Sequence, residues 1–172
     1  MANLLTSVQQ QLIKSFSANN LEKYTQIATE VEDNELMQLI GVAFLQAIQT
    51  TPADYNDLLN GSEFEDYDGN TINHKGLRYV LAYFNYSKYL GESFVADTYT
   101  GFVRKTHNEA EPLTEGQVRR LQEDNRKIAL QAWSVIKRYL DISSADYPLW
   151  SNVNTKKVYR PKFFGISKTE YR

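Results

Sequence analysis

The chain has no cysteine among its 172 residues, which excludes disulfide frameworks, thiolate zinc sites and cysteine nucleophiles. Histidine is scarce as well, because His74 and His107 are the only two and they fall in different polar segments. No nucleophile elbow, phosphate loop or zinc-protease motif accompanies either one. A lone loop histidine is more often a surface residue than a general base. We therefore expect a protein that is not an enzyme and has no cofactor and no metal.

The chain also lacks a charge excess and a long apolar run. Its net charge of −2 gives no global basic field for nucleic acid and no acidic excess of the disordered kind. The longest apolar-rich stretch, residues 80–90, contains Asn85 and Lys88, far short of the roughly 20 apolar residues of a membrane span. The first twenty residues lack the apolar run of a secretory signal. These absences predict one soluble domain, made in the cytosol, with no membrane contact.

Tyrosine is the abundant residue, with 12 copies beside 8 phenylalanines and 2 tryptophans. It combines a large apolar ring with a hydroxyl that tolerates water, so it favours surfaces that a partner covers. Any single tyrosine is as easily part of a helical core. The abundance is therefore compatible both with assembly and with simple packing.

Helical periodicity predicts a mainly α-helical bundle with one or two small β-hairpins or loops. Apolar residues three and four apart between Leu36 and Ile48 indicate a helix capped by Asp33. Thr51 begins a short second helix, and Gly61 ends it.

Two polar segments interrupt the helices. Asp68-Gly69, between Phe64 and Ile72, predicts a β-hairpin. The acidic residues around it do not follow the spacing of a calcium loop, so we expect no metal there. Residues 94–106 predict either a long loop or a second hairpin, and connections of this length often carry function.

Residues 76–90 are apolar or aromatic on most of the helix circumference, with a narrow stripe of Arg78, Ala82 and Asn85. This pattern predicts a central helix, ended by Gly91, that a second subunit partly covers. The candidate subunit-interface residues are aromatic and lie on this helix and near residue 150: Tyr79, Tyr83, Tyr86, Tyr147 and Trp150.

The longest predicted helix begins at a capping box, Thr114 and Gln117, and runs about 26 residues to Leu140. Its apolar residues have heptad-like spacing, with Asn125 the one polar member. They are Val118, Leu121, Ile128, Ala132, Val135 and Tyr139. The Tyr147–Trp150 segment then closes the body.

Beyond a body of residues 1–150, residues 151–172 form a basic aromatic arm. Six lysines and arginines against one glutamate give the arm +5, which leaves −7 on the body. A basic arm on an acidic body favours docking onto a neighbouring copy. A solvated, disordered terminus is the alternative, although such tails are poor in large apolar residues. The candidate partner-binding residues of the arm are Tyr159, Arg160, Lys162, Phe163 and Phe164.

Four segments carry a resemblance to a known family: residues 55–61, residues 76–90, residues 98–105, and the capped helix from Glu111 to Tyr147–Trp150. They resemble head-to-tail connector proteins of tailed phages and prophages of Bacteroidetes, crAss-like phages included. The resemblance covers roughly residues 36–150.

The resemblance implies a helical adaptor in the neck of the virion, forming a ring, a dodecamer, stacked on the portal protein. It also implies contact with a downstream tail or neck protein and non-specific contact with packaged DNA. One loop then becomes a candidate for lining the channel or contacting a partner, although an inert hairpin remains the alternative; its residues are Thr98, Gly101, Phe102, Arg104 and Lys105. The other function that the residues allow is an intracellular homo-oligomeric helical domain with a regulatory or nucleic-acid-binding role.

Overall fold

The computed structural model describes residues 3–15, 21–98, 101–104 and 114–150. Within them the chain forms a helical bundle with two small antiparallel hairpins, which confirms the mainly α architecture. The helices are α1 (Ser7–Ile13), α2 (Leu21–Val31), α3 (Met37–Ile40), α4 (Val42–Thr50), α5 (Asn56–Asn60), α6 (Gly76–Phe94) and α7 (Glu115–Ile142). The strands are β1 (Ser62–Glu65), β2 (Thr71–His74), β3 (Val95–Thr98) and β4 (Gly101–Arg104). A π-helical turn, Glu32–Leu36, joins α2 to α3, and a 3-10 turn, Pro52–Tyr55, precedes α5.

The centre of the fold is the pair α6 and α7, which bury apolar stripes against each other. Full burial of one large aliphatic side chain contributes about 1.5–3 kcal/mol, so this pairing stabilises the bundle strongly. The remaining helices and the turn ending at Trp150 extend the same core. The buried residues at the centre follow the spacing of a single helix face, and they are Leu77, Val80, Leu81 and Phe84 of α6 with Ala129, Trp133, Ile136 and Leu140 of α7.

Several element boundaries agree with the sequence analysis. The Thr114 hydroxyl accepts a hydrogen bond from the Gln117 N–H at 3.3 Å, and the Gln117 side chain accepts one from the Thr114 N–H at 2.8 Å. This capping box starts α7, which is 28 residues long. Strands β1 and β2 pair around Asp68-Gly69, and residues 94–106 contain the second hairpin, β3–β4.

Two predicted helix ends are wrong. Asp33 caps nothing, because it lies inside the π-helical turn that continues α2. The buried stripe already runs through Ile27 and Val31, so the helix has no reason to begin at Asp33. Gly91 does not end α6, which continues to Phe94. The Gln122 side chain of α7 occupies the space that a Cβ would need at residue 91, so the absence of a side chain there allows α7 to pack closely against α6.

Most of the polar stripe of α6 is buried. Ala82 is 0% and Asn85 2% exposed. The N-terminal segment, residues 3–15, lies along this stripe and supplies polar partners. Gln10 donates to the Ala82 carbonyl at 3.1 Å and accepts from the Asn85 amide at 3.3 Å. The chain's own N-terminal segment therefore packs against this stripe.

A buried carboxylate also holds this N-terminal segment. Glu32 is 2% exposed and accepts the Leu4 N–H at 2.7 Å and the Gln49 amide at 3.1 Å. Burial raises the pKa of Glu32 above its ordinary value of 4.5. The ionised form of Glu32 is therefore less stable in the folded chain than in the unfolded chain.

We expect Glu32→Gln to gain stability relative to the wild type as the pH rises. Above pH 4.5 the unfolded chain has released this proton while the folded chain retains it, so the wild type loses stability until the pH passes the raised pKa. Glutamine does not titrate and escapes that loss. The measurement is the free energy of unfolding in urea from pH 4 to 8 for both proteins; a difference that does not change with pH would contradict the burial argument.

Candidate interaction surface

Three half-buried tyrosines form a row along one side of α6. Tyr79, Tyr83 and Tyr86 follow each other at spacings of four and three residues, which places them on one helix face. The Tyr79 and Tyr83 rings lie 4.8 Å apart between centroids. Tyr83 also packs against the core, so one side of the row is buried and the other side is partly exposed.

Two lysines lie over this row. The Lys14 ammonium is 4.7 Å from the Tyr86 ring centroid and 5.7 Å from that of Tyr83, and the Lys75 ammonium is 4.6 Å from that of Tyr79. Each such cation–π contact contributes about 0.5–1 kcal/mol at an exposed site. Among the residues that the structure describes, neither lysine forms an ion pair with a carboxylate. A hydrogen bond with Tyr79 and, as a smaller cause, burial raise the pKa of Tyr83 above its ordinary value of 10.0.

Two shallow cavities flank Tyr79. One of about 230 Å³ lies between α1 and α6 and is lined by Leu12, which is 83% exposed. The other, of about 270 Å³, lies between α6 and α7 and is lined by Ile128, which is 36% exposed. We call the whole surface the tyrosine groove; it comprises Leu12, Lys14, Lys75, Tyr79, Tyr83, Tyr86 and Ile128. Its combination of half-buried rings, exposed aliphatic side chains and unpaired cations suits a partner with an aromatic anchor and negative charge.

The heptad-like pattern of α7 grouped Leu121 and Ile128 with Val118 and Tyr139, but only the latter two are buried. Leu121 and Ile128 are 40% and 36% exposed, while the buried stripe runs one residue further on, through Ala129 and Trp133. Asn125, the polar member, is buried and donates to the Leu121 carbonyl. An exposed aliphatic edge on α7 is the consequence, and Ile128 of that edge completes the groove.

Two of the predicted interface residues need correction. Tyr147 and Trp150 are 8% and 2% exposed, because both pack against Phe44 in the chain's own core. They close the body, as their position after α7 suggested, and leave almost no surface for a neighbouring copy. The predicted interface is thereby reduced to the three tyrosines of α6.

The other predicted sites lie wholly or partly outside the described residues. In the loop, Thr98 pairs with Gly101 across the β3–β4 hairpin, and Phe102 and Arg104 belong to β4. Lys105 and the arm residues Tyr159, Arg160, Lys162, Phe163 and Phe164 fall outside the described ranges, so their assignment stays a prediction.

One serine–histidine contact invites comparison with a catalytic pair. The Ser62 hydroxyl and His74 Nε2 are 3.0 Å apart at the base of the β1–β2 hairpin. His74 is 1% exposed and stacks on Tyr139 at 4.4 Å, and its Nδ1 has no hydrogen-bond partner among the residues described. Burial lowers the pKa of His74, and in the part of the chain that the structure describes no carboxylate forms a hydrogen bond with its ring. A base needs such an orienting bond and access to substrate, so this geometry favours a packing role.

Sequence reasoning missed the members of the groove outside α6. Leu12 and Lys14 belong to the N-terminal segment, where the Thr6–Gln9 capping box was the available signal for α1. Ile128 was recognised only as a member of the heptad-like pattern of α7. Only the folded arrangement brings these residues beside the tyrosine row.

The fold and the groove define a small helical protein with an exposed aromatic face. The chain belongs to a family of unknown function, DUF6712, whose match spans residues 36–160. No curated protein and no solved structure shows significant similarity to it. The family match includes the tyrosine row and excludes α1. Among the described residues, no helix has the length and apolar content to cross a bilayer.

Proposed function

We propose that this protein is a structural subunit of a phage head-to-tail connector. Copies form a ring that stacks on the portal protein and bridges to the next tail or neck component around the DNA channel. Two things support the proposal: the resemblance over residues 36–150, and the tyrosine groove, which is the observation that carries it. Half-buried aromatic rings beside exposed aliphatic side chains are typical of a surface that a protein partner covers.

The basic arm and the β3–β4 hairpin have secondary places in this proposal. The arm, with +5 on residues 151–172, docks on an acidic surface of a neighbour rather than on the lysine-bearing groove. Arg104 and Lys105 are suited to weak, non-specific contact with packaged DNA phosphates.

A second candidate function rests on the same groove. Tyrosine rings beside Lys14 and Lys75 are also found where proteins stack single-stranded nucleic acid. A regulatory or nucleic-acid-binding homo-oligomer would bind DNA tightly and with a steep dependence on salt, whereas a connector subunit would bind its portal and bind free DNA only weakly.

The test combines the protein with the portal protein of the same phage and examines the mixture by light scattering and electron microscopy. We expect rings on the portal, and we expect Tyr79→Ala with Tyr86→Ala to weaken their formation about tenfold or more, as for truncated hot-spot residues. The control is Leu130→Ala, which removes a side chain that is 42% exposed and lines neither cavity. Circular dichroism confirms that each variant is folded. Absence of rings, or rings that form equally well without the tyrosines, would contradict the proposal.

A further inference from the structure

The β1–β2 hairpin ends in an exposed aromatic residue. Tyr67 is 76% exposed and sits at the tip of the hairpin, between Asp66 and Asp68. Wherever the structure describes side chains, it is the one aromatic residue that is mostly exposed. A single exposed tyrosine on a projecting turn has the form of an anchor for a pocket on another molecule.

The tip is rigid before any partner binds. Asp66 Oδ1 accepts the N–H groups of Asp68 and Asn70, each at 2.9 Å, and the Gly69 N–H donates to the Asp66 carbonyl at 3.0 Å. Arg138 of α7 then bonds Asp66 Oδ2 at 3.1 Å and ties the tip to the body. A preorganised turn loses little conformational entropy on docking.

Charge makes the tip and the groove complementary. Glu63, Glu65 and Asp68 are exposed on the hairpin and pair with no cation in the described parts of the chain. The groove presents the two lysines that likewise lack a carboxylate partner. Opposite charges on two surfaces favour encounter and fix their register, while like charges exclude other pairings.

The tip cannot reach the groove of its own molecule. Strand β2 runs from the tip directly to Lys75, and four strand residues separate the two by about 13 Å. The Arg138 bond and the β1–β2 pairing hold the hairpin in that position. The groove can therefore receive a hairpin tip only from a second copy.

We propose that the hairpin tip of one copy docks into the tyrosine groove of the next, with Tyr67 seated beside Tyr79 between Leu12 and Ile128. The inference rests on the proposed self-assembly and specifies which two surfaces meet when copies assemble. Because the two surfaces are unlike, the contact is head-to-tail, and repetition of one such contact generates a closed ring or an open chain.

Cysteine cross-linking tests this contact even when it is weak, because the native chain has no cysteine. Copies carrying Tyr67→Cys are mixed with copies carrying Leu12→Cys and treated with a short bismaleimide linker. We expect a covalent heterodimer in clear excess over the product from Tyr67→Cys mixed with Val42→Cys. Val42 is a matched control, since it is 53% exposed and lines neither cavity. Equal yields from the two mixtures would overturn the proposal.

Complementary variants provide the second measurement. Tyr67→Ser with Asp68→Lys disables the tip, and Lys75→Gln with Tyr79→Ser disables the groove without creating a new pair of opposite charges between the two altered surfaces. We expect each variant alone to self-associate about tenfold or more weakly than the wild type. A mixture should form a pair that stops at two copies, because one intact tip and one intact groove remain. A tip variant that assembles like the wild type, or a mixture that stays monomeric, would overturn the contact.

The outcomes separate this inference from the proposed function. Rings on the portal without the Tyr67–Leu12 cross-link would leave the connector function standing and remove the hairpin contact. Cross-linked pairs that never bind a portal would support the hairpin contact and contradict the connector function.

Discussion

Gly76→Ala is expected to lower the free energy of unfolding by about 3 kcal/mol or more, since it combines backbone strain with a backbone collision. Gly76 has φ +77°, in the left-handed region. A Cβ there would lie 2.5 Å from the Gly61 nitrogen and 2.6 Å from the Asn60 carbonyl carbon. Both are main-chain atoms and cannot rotate aside as a side chain can. Urea unfolding at neutral pH measures the effect.

A second glycine of the same hairpin supplies the control. Gly69 has φ +78° but nothing lies within 4 Å of its Cβ position, so Gly69→Ala carries the strain alone, about 1–2 kcal/mol. Gly116→Ala, in the first turn of α7 with open space around it, should stabilise the chain by about 0.5–1 kcal/mol. If Gly76→Ala cost no more than Gly69→Ala, the close packing of Gly61 on Gly76 would not matter for stability.

Gly61 and Gly76 together determine the orientation of the β1–β2 hairpin relative to the helices. They flank its two strands, and their main chains touch where α5 ends and α6 begins. Lys75 precedes Gly76, so the same junction positions one cation of the tyrosine groove. A shift here would disturb the hairpin and the groove together.

Trp150→Ala is expected to cost about 3–5 kcal/mol, the range for removing a buried large aromatic side chain. Trp150 is 2% exposed; it packs edge-on against Trp133 at 5.9 Å and lies tilted against Phe44 at 6.4 Å. Its indole N–H donates to Asp141 Oδ1 at 2.9 Å. Thermal and urea unfolding should both report the loss.

Truncations locate this effect at the Tyr147–Trp150 segment. A chain ending at Trp150 keeps every contact described above and should unfold within about 0.5 kcal/mol of the full chain. A chain ending at Asp146 exposes Phe44 and Trp133 and should lose as much stability as Trp150→Ala or more. Equal stability of the two truncated chains would mean that this segment does not close the core. The chain ending at Trp150 also tests the arm, because it should assemble less well while remaining folded.

Local signals predicted the features that depend on neighbours in sequence. The Thr114–Gln117 capping box, the Asp68-Gly69 turn and the end of α5 at Gly61 depend on a few adjacent residues, and the structure has all three. The tyrosine row of α6 was predicted for the same reason, because helical spacing alone places Tyr79, Tyr83 and Tyr86 on one face.

The features that the sequence analysis missed or misassigned share one cause. Helical periodicity shows that a helix has a distinct face, but it does not show what covers that face. The stripe of Arg78, Ala82 and Asn85 was recognised from the spacing, but the spacing did not show that the N-terminal segment buries Ala82 and Asn85 through Gln10. Tyr147 and Trp150 were assigned to a partner, yet Phe44 and its neighbours bury them within the chain.

Spacing and capping act over a few residues, so they were enough to specify the helical class, the central helix, the long capped helix and the tyrosine-rich face. Which side of α6 is open became clear only from the packing of the folded chain. That choice depends on α1, which supplies Leu12 and Lys14 to one edge of the row, and on the rotation of α7, which supplies Ile128 to the other. Burial is a property of the whole packed chain, so no pattern within one helix could specify it.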